Sequence, residues 1–209
     1  LPAMPRVESR QTWVKRLDIP LNTEALWVSS YTYDFPLKAW VEVFQEMDKP
    51  VVLFVMGGIK SPSIPKRYTP VTIINLPLID QRSFDTLLTL CDLNIVRGED
   101  SFATSLQTGT PTLWQAYPQD DKTHHIKVEA FLRWVEKSAP HIPSSFYTIM
   151  RDINGIATLP SVAFILAFFE SLGTMRHGFT MIGQKIQSLG SLSKNLRSTI
   201  NNLKKEFLL

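Results

Sequence analysis

The sequence predicts an α/β domain built on a parallel sheet and followed by helices at its C-terminal end. Between residues 26 and 116, short apolar, β-branched or aromatic runs alternate with stretches of helical periodicity, the pattern of strand–helix–strand units. From Asp120 onward no convincing strand appears, only apolar residues three or four positions apart. Composition agrees: 209 residues with 44% hydrophobic and 20% charged residues suffice for one full domain with additional helices.

The elements follow in order. Residues 1–25 hold three prolines in the first twenty, with a short amphipathic piece around Trp13, Val14 and Leu17, and are expected to be a lead-in or linker. Residues 26–33 form the first predicted strand. Asp34 is the expected N-cap of a helix with Pro36 near its first position and Leu37, Trp40, Val41 and Phe44 on one face. A second strand over 51–56 ends at Gly57-Gly58, and a loop with Pro62, Pro65 and Pro70 leads to a third over 71–76. A helix over 83–91 presents Phe84, Leu87, Leu88 and Cys91, and a fourth strand covers 93–96. The charged turn Arg97-Gly98-Glu99-Asp100-Ser101 comes next, then a helix that starts after Ser101 and stops at Gly109, then a fifth strand over 112–116.

Further on, Val128, Phe131, Leu132 and Val135 predict one helix and residues 161–172 another. A last apolar stripe runs through Phe179, Ile182, Ile186, Leu189, Leu192, Leu196, Ile200, Leu203 and Phe207, as one long helix or two broken near Gly190. It packs on this domain or a neighbouring one; a membrane-surface helix and a coiled-coil dimer are the alternatives.

Several function classes are excluded or disfavoured. A net charge of +3 without an arginine or lysine block does not suggest nucleic-acid binding. The single cysteine, Cys91, rules out an intrachain disulfide framework and is expected to be a buried helix residue in a reducing compartment. The longest apolar run, 162–169, is far short of the ~20 residues of a membrane span. The first residues lack a signal-peptide pattern, so a cytoplasmic location is expected. The chain begins at Leu1 rather than methionine, the pattern of an internal fragment or of a trimmed chain. His124 and His125 are adjacent, the wrong spacing for two ligands on one helix face, so no metal site is expected.

In open parallel sheets, ligands bind at the carboxyl ends of the strands. Those ends are residues 31–34, 57–58, 78–81, 97–101 and 117–119. Together they offer aromatic rings for a base or ribose, an amide to read a base edge, glycines for close backbone approach, an arginine for phosphate and acids for hydroxyls. A helix start beside Arg97 adds free N–H groups and partial positive charge. The set suits a nucleotide-diphosphate-sugar. Structural roles compete for each member: one of Tyr31 and Tyr33 as core, Gly57-Gly58 as a plain turn, Asp100 and Ser101 as helix caps.

Arg97-Gly98-Glu99-Asp100-Ser101-Phe102 resembles the signature of the bacterial protein-arginine rhamnosyltransferases that modify elongation factor P. The same register extends to residues 109–114 and 117–119 downstream, and to 76–81 and 28–33 upstream. The resemblance covers nearly the whole chain and points to the C-terminal, donor-binding half of a GT-B glycosyltransferase, a Rossmann-like domain with C-terminal helices. It divides the chain into a lead-in over 1–25, a donor domain over 26–175 and a C-terminal helical part over 176–209. It implies transfer of rhamnose from dTDP-β-L-rhamnose to an arginine of elongation factor P with inversion, without metal or cofactor, and without nucleic-acid or membrane partners. It further implies that Arg97, Gly98, Asp100 and Ser101 hold the diphosphate and ribose region, that Tyr31 and Tyr33 pack near the nucleotide, that Gln81 reads thymine, and that Glu99 is the catalytic carboxylate. Leu78 stands where the family has a phenylalanine that stacks on thymine, and Tyr31 where it has another phenylalanine. The family's acceptor-binding aspartates belong to an N-terminal domain with no counterpart here. Two other readings stand beside this one: a GT-B transferase using another nucleotide sugar, such as a UDP-sugar, and a non-catalytic nucleotide-sugar or protein-binding module.

Overall fold

A computed structural model describes residues 9–17, 22–33, 35–57, 71–157, 161–190 and 199–200. The five expected strands form one parallel sheet: β1 (Leu26–Tyr31), β2 (Val51–Val55), β3 (Val71–Asn75), β4 (Leu93–Arg97) and β5 (Thr112–Gln115), in the order β3-β2-β1-β4-β5. β1 therefore lies between β2 and β4, with Ser30 opposite Val55 on one side and Tyr31 opposite Val96 on the other. The strand order reverses between β1 and β4, the kind of point outside whose carboxyl ends open parallel sheets bind ligands.

Alternation along the strands assigns the two faces. Val28, Val51, Leu53, Leu93, Ile95 and Leu113 pack under α2 (Leu37–Gln45), α5 (Thr123–Ser138), α6 (Ser144–Asp152), α7 (Val162–Glu170) and α8 (Leu172–Ser188). Trp27, Val52 and Phe54 face the other way, toward α1 (Arg10–Leu17) and α3 (Gln81–Leu90). The remaining helix, α4 (Gly98–Gln107), joins β4 to β5 and sends Leu106 into the first cluster.

The chain ends depart from expectation. Residues 10–17 are a packed helix of the domain, not a linker. Trp13 is buried with its ring 6.0 Å from Trp27 and 5.5 Å from Phe54, and Arg10 donates to the carbonyls of Leu90, Thr23 and Ala25. The expected division between 175 and 176 falls inside α8, where Met175, Phe179 and Ile182 are fully buried in the main core. The first part of the C-terminal stripe thus packs on its own domain. The helix ends at Ser188 and Gly190 turns with φ +72°, the expected break; Leu192, Leu196, Leu203 and Phe207 lie outside the described residues.

The helix α6 was not anticipated, although Phe146, Ile149, Met150 and Ile153 have helical spacing and all are buried. It delivers Asn154, whose amide accepts from Ala116 N–H at 2.9 Å and donates to the Trp114 carbonyl at 2.8 Å. One side chain thereby covers the free edge of β5 as a neighbouring strand would.

Candidate functional site

β4 delivers the signature residues. The expected turn at 97–101 is absent: β4 runs through Arg97 and α4 begins at Gly98. Gly98 has φ +63°, a left-handed conformation that lets the chain pass from strand to helix in one residue. Arg97 occupies the N-cap position without a side-chain cap bond, so neither Asp100 nor Ser101 caps the helix. Glu99 and Asp100 stand instead in its first turn, where a carboxylate interacts favourably with the helix dipole. Both are exposed. The Trp114 indole N–H donates to the Gly98 carbonyl at 2.9 Å, and Phe102 stacks on Trp114 at 4.3 Å, fixing the helix start against β5.

Arg97 is held between two tyrosines. Its guanidinium lies 4.4 Å from the ring centre of Tyr31 and 4.8 Å from that of Tyr33. It donates through Nη1 to the Thr32 carbonyl at 3.1 Å and through Nη2 to the Tyr31 hydroxyl at 3.3 Å. Five N–H donors on a planar fork leave others for an anion. Tyr33 is anchored by its backbone N–H to Gln115 Oε1 at 2.7 Å and meets Tyr117 edge-on at 5.5 Å. Desolvation raises the pKa of the Tyr33 phenol, against the nearby Arg97 charge, so it remains a neutral O–H at physiological pH.

Beside this clamp an open cleft of about 140 Å³ lies outside the ends of β1 and β2, lined by Tyr31, Met56, Gly57, Pro77, Leu78, Ile79, Gln81, Phe84 and Ser101. Complete ligand pockets span roughly 300–1,000 Å³, so the cleft is a subsite for one portion of a ligand. Its chemistry suits a flat ring with one polar edge. Phe84 meets Tyr31 at 5.7 Å in an edge-to-face pair and forms the apolar back. Gln81 opens α3, which Asp80 caps by accepting from Ser83 N–H at 2.9 Å; the Ser83 bonds hold the Asp80 carboxyl below its ordinary pKa. Gln81 is the first helical residue, exposed, its amide donating to Asp85 at 2.7 Å. Leu78 stands at the rim, 96% exposed.

Of the residues expected at the site, Tyr31, Leu78, Gln81 and Ser101 share this cleft, and Arg97, Gly98 and Tyr33 adjoin it. Glu99 and Asp100 do not line it. Glu99 pairs instead with Lys127 of α5 at 3.1 Å. Asp34 and Gly58 lie outside the described residues. Sequence reasoning missed Met56, Pro77 and Phe84 as lining residues. Phe84 was assigned only to the packed face of its helix, and no periodicity distinguishes a core ring from one at a cleft wall.

The remaining candidates have structural roles. Nδ1 of His124 accepts the Gln119 N–H at 3.1 Å, and burial with His125 beside it lowers the imidazole's pKa. Cys91 is fully buried, and desolvation pushes its thiol far above the ordinary value, which leaves it unreactive. Among the described residues, no three His, Cys, Asp or Glu side chains gather closely enough to hold a metal ion, and no helix is long and apolar enough to cross a membrane.

Comparison with known proteins gives consistent results. A family described as "Elongation-Factor P (EF-P) rhamnosyltransferase EarP" matches residues 3–201. A protein-arginine rhamnosyltransferase of Pseudomonas putida is 34% identical over 139 residues, 60% of this chain and 37% of that protein. The solved structure reported as the structural basis for EarP-mediated arginine glycosylation of translation elongation factor EF-P superposes with a TM-score of 0.76 at 24% identity, over 92% of this chain and 66% of that one. Spinosyn forosaminyltransferase SpnP shares the fold, with a TM-score of 0.50 at 13% identity, over 86% of this chain and 44% of that one. The sheet is thus a Rossmann-like domain of the GT-B kind. The chain spans well under half the length of the P. putida relative.

Proposed function

The chain belongs to the EarP family of elongation-factor P rhamnosyltransferases, and on that premise we propose that it is the donor-binding half of an enzyme moving rhamnose from dTDP-β-L-rhamnose to an arginine of elongation factor P. One observation carries the reading: a clamped arginine, a helix N-terminus and a ring-sized cleft with an amide at its rim meet where the strand order reverses. Thymine takes the cleft, with Gln81 on its polar edge, Phe84 behind it and Leu78 over its open side. The diphosphate takes the free N–H groups of Arg97 and the start of α4, with Ser101 alongside. Tyr31 and Tyr33 hold Arg97 in place and border the nucleotide, Gly98 leaves room at the helix start, and Asp100 faces the donor's hydroxyls. The acceptor's location, the cytoplasm, follows from its being a translation factor.

A guanidinium of pKa above ~12 has no free lone pair, so an acceptor arginine is a poor nucleophile. Carboxylates must orient it and take up a proton as the C–N bond forms, while the departing diphosphate needs positive charge. Glu99 is this chain's candidate for the first task, Arg97 with the α4 terminus for the second. No metal is required by this division, since the leaving group's charge falls on groups the chain supplies.

The test is calorimetric titration of the chain with dTDP and with UDP, alongside Glu99→Ala. Selective dTDP binding is expected, unchanged in the variant. Rhamnosyl transfer by the complete polypeptide carrying this chain is expected to fall ~10²–10⁴-fold in Glu99→Ala, the usual worth of a proton-transfer group. Retained transfer removes Glu99 from that role. Equal binding of UDP would favour the second reading, a transferase for another nucleotide sugar, which rests on the aliphatic Leu78 at the rim.

A further inference from the structure

We propose that Lys127 is the residue that positions the Glu99 carboxylate for transfer, an inference that rests on the functional reading above. Glu99 is the second residue of α4, on a side chain 60% exposed. Its described partner is the ammonium of Lys127, 3.1 Å from Oε1. Beyond this bond nothing described fixes its side-chain torsions. A glutamate free at three torsions occupies several rotamers, whereas a group that meets a substrate needs one.

Lys127 is suited to select that rotamer. It comes from α5, 28 residues away in sequence, on a backbone anchored in the core and, through Phe131, edge-on against Phe102 of α4 at 4.8 Å. One turn of that backbone is fixed by buried His124 and the next by Val128, fully buried in the core. The ammonium is therefore tethered to a rigid helix while its tip stays in solvent, 48% exposed. An exposed pair of this kind contributes only ~0–1 kcal/mol to folding, so stability does not explain it well. Its consequence is geometric. Lys127 holds Oε1 and leaves Oε2 for a second cation, the place an acceptor guanidinium would take. It lies outside the cleft and does not touch Arg97, so it is separate from the donor contacts.

The experiment compares Lys127→Met, which keeps the stem and removes the charge, and Lys127→Arg, which keeps the charge. In this chain, dTDP affinity is expected to stay within about twofold for both, since neither touches the cleft. In the complete polypeptide carrying the chain, kcat is expected to fall about 10- to 10²-fold in Lys127→Met, the scale of a misplaced reactive group, with KM for the acceptor little changed. Lys127→Arg should recover most of it. Unchanged kcat in Lys127→Met overturns the proposal. So does a parallel loss of dTDP affinity, which would make Lys127 a donor ligand. A separate measurement reads the positioning directly: side-chain scalar couplings of Glu99 in this chain should report one dominant rotamer in wild type and averaging in Lys127→Met. Averaging in both overturns the proposal. Absence of transfer in wild type would instead contradict the rhamnosyltransferase reading, and the couplings still decide the role of Lys127.

Discussion

Replacing Gly57 with alanine should damage the candidate site without removing any ligand-facing side chain. Gly57 sits just beyond β2 with φ +83°, a conformation that costs an L-residue roughly 1–2 kcal/mol. A Cβ there would lie 2.9 Å from Cε2 and 3.1 Å from Cδ2 of Tyr31, and 3.6 Å from Nη2 of Arg97. The ring cannot yield freely, because the Arg97 guanidinium covers one face and Phe84 meets its edge. Moving it disrupts a cation–π contact worth ~0.5–1 kcal/mol at a partly exposed site and shifts the cleft wall. Strain and displacement together predict about 2–3 kcal/mol of destabilisation and roughly a tenfold or greater loss of dTDP affinity. Gly155→Ala is the control: its φ is +67°, but a Cβ there meets nothing within 4 Å. Backbone strain alone should cost it ~1–2 kcal/mol with dTDP binding intact. Urea denaturation and calorimetric titration of both variants give the comparison. If Gly57→Ala binds dTDP as wild type does, or if both variants lose binding equally, the steric argument about Tyr31 is wrong.

Two further outcomes follow from the packing. Trp13→Ala should destabilise the domain by about 3–5 kcal/mol, the cost of removing a large buried aromatic. Trp13→Phe should cost much less, because the buried indole N–H has no partner among the described residues and no hydrogen bond to them is lost; equal loss in a urea melt would refute this. Stability should also depend on pH through His124. Its folded pKa is depressed, by burial first and by His125 second, so the unfolded chain binds the proton more tightly. The contribution is therefore complete above the unfolded value of about 6.5 and declines as pH falls through it toward the folded value, each tenfold difference in proton affinity being worth about 1.4 kcal/mol. The urea midpoint should drop between about pH 7.5 and 5.5 in wild type, and less in His124→Gln; parallel curves for the two proteins would remove His124 as the cause.

The sheet and the grouping of residues at its carboxyl edge were legible because both rest on local signals. Each strand is a short apolar run ended by glycine, proline or a charge, and parallel topology then places all carboxyl ends on one side. Tyr31, Gln81 and Arg97 could be listed as neighbours from that rule alone. What was not legible depends on three-dimensional packing. The fragment 1–25 resembled a linker because α1 carries few apolar residues, yet one tryptophan between Trp27 and Phe54 suffices to dock it. The charged stretch 97–101 resembled a turn because glycine and acids favour turns. A single positive φ at Gly98 places the same acids in a first helical turn, an arrangement their charge also favours. The separation of Glu99 from the cleft, and its pairing with a lysine 28 residues on, depends on where α5 crosses, which no spacing in the sequence encodes.

The two ends of β4 divide the work of the domain. At its amino end Asp92 accepts from Arg10 of α1 at 2.7 Å, from Arg176 of α8 at 3.0 Å and from the Trp27 N–H at 2.9 Å, joining the first and last long helices to the middle of the sheet. At its carboxyl end Arg97 sits between tyrosines with donors to spare. Five residue steps at about 3.3 Å place these groups roughly 16 Å apart. That exceeds the screening length of about 8 Å at physiological ionic strength, so the two charge clusters act separately. Asp92 is three-quarters buried and its removal would leave two arginines unpaired, a loss in stability. Arg97 is spared from such service, because its bonds go to a carbonyl and a hydroxyl, not to a carboxylate. Among the described residues no carboxylate pairs with it, the condition under which an arginine at a sheet edge can receive an anion.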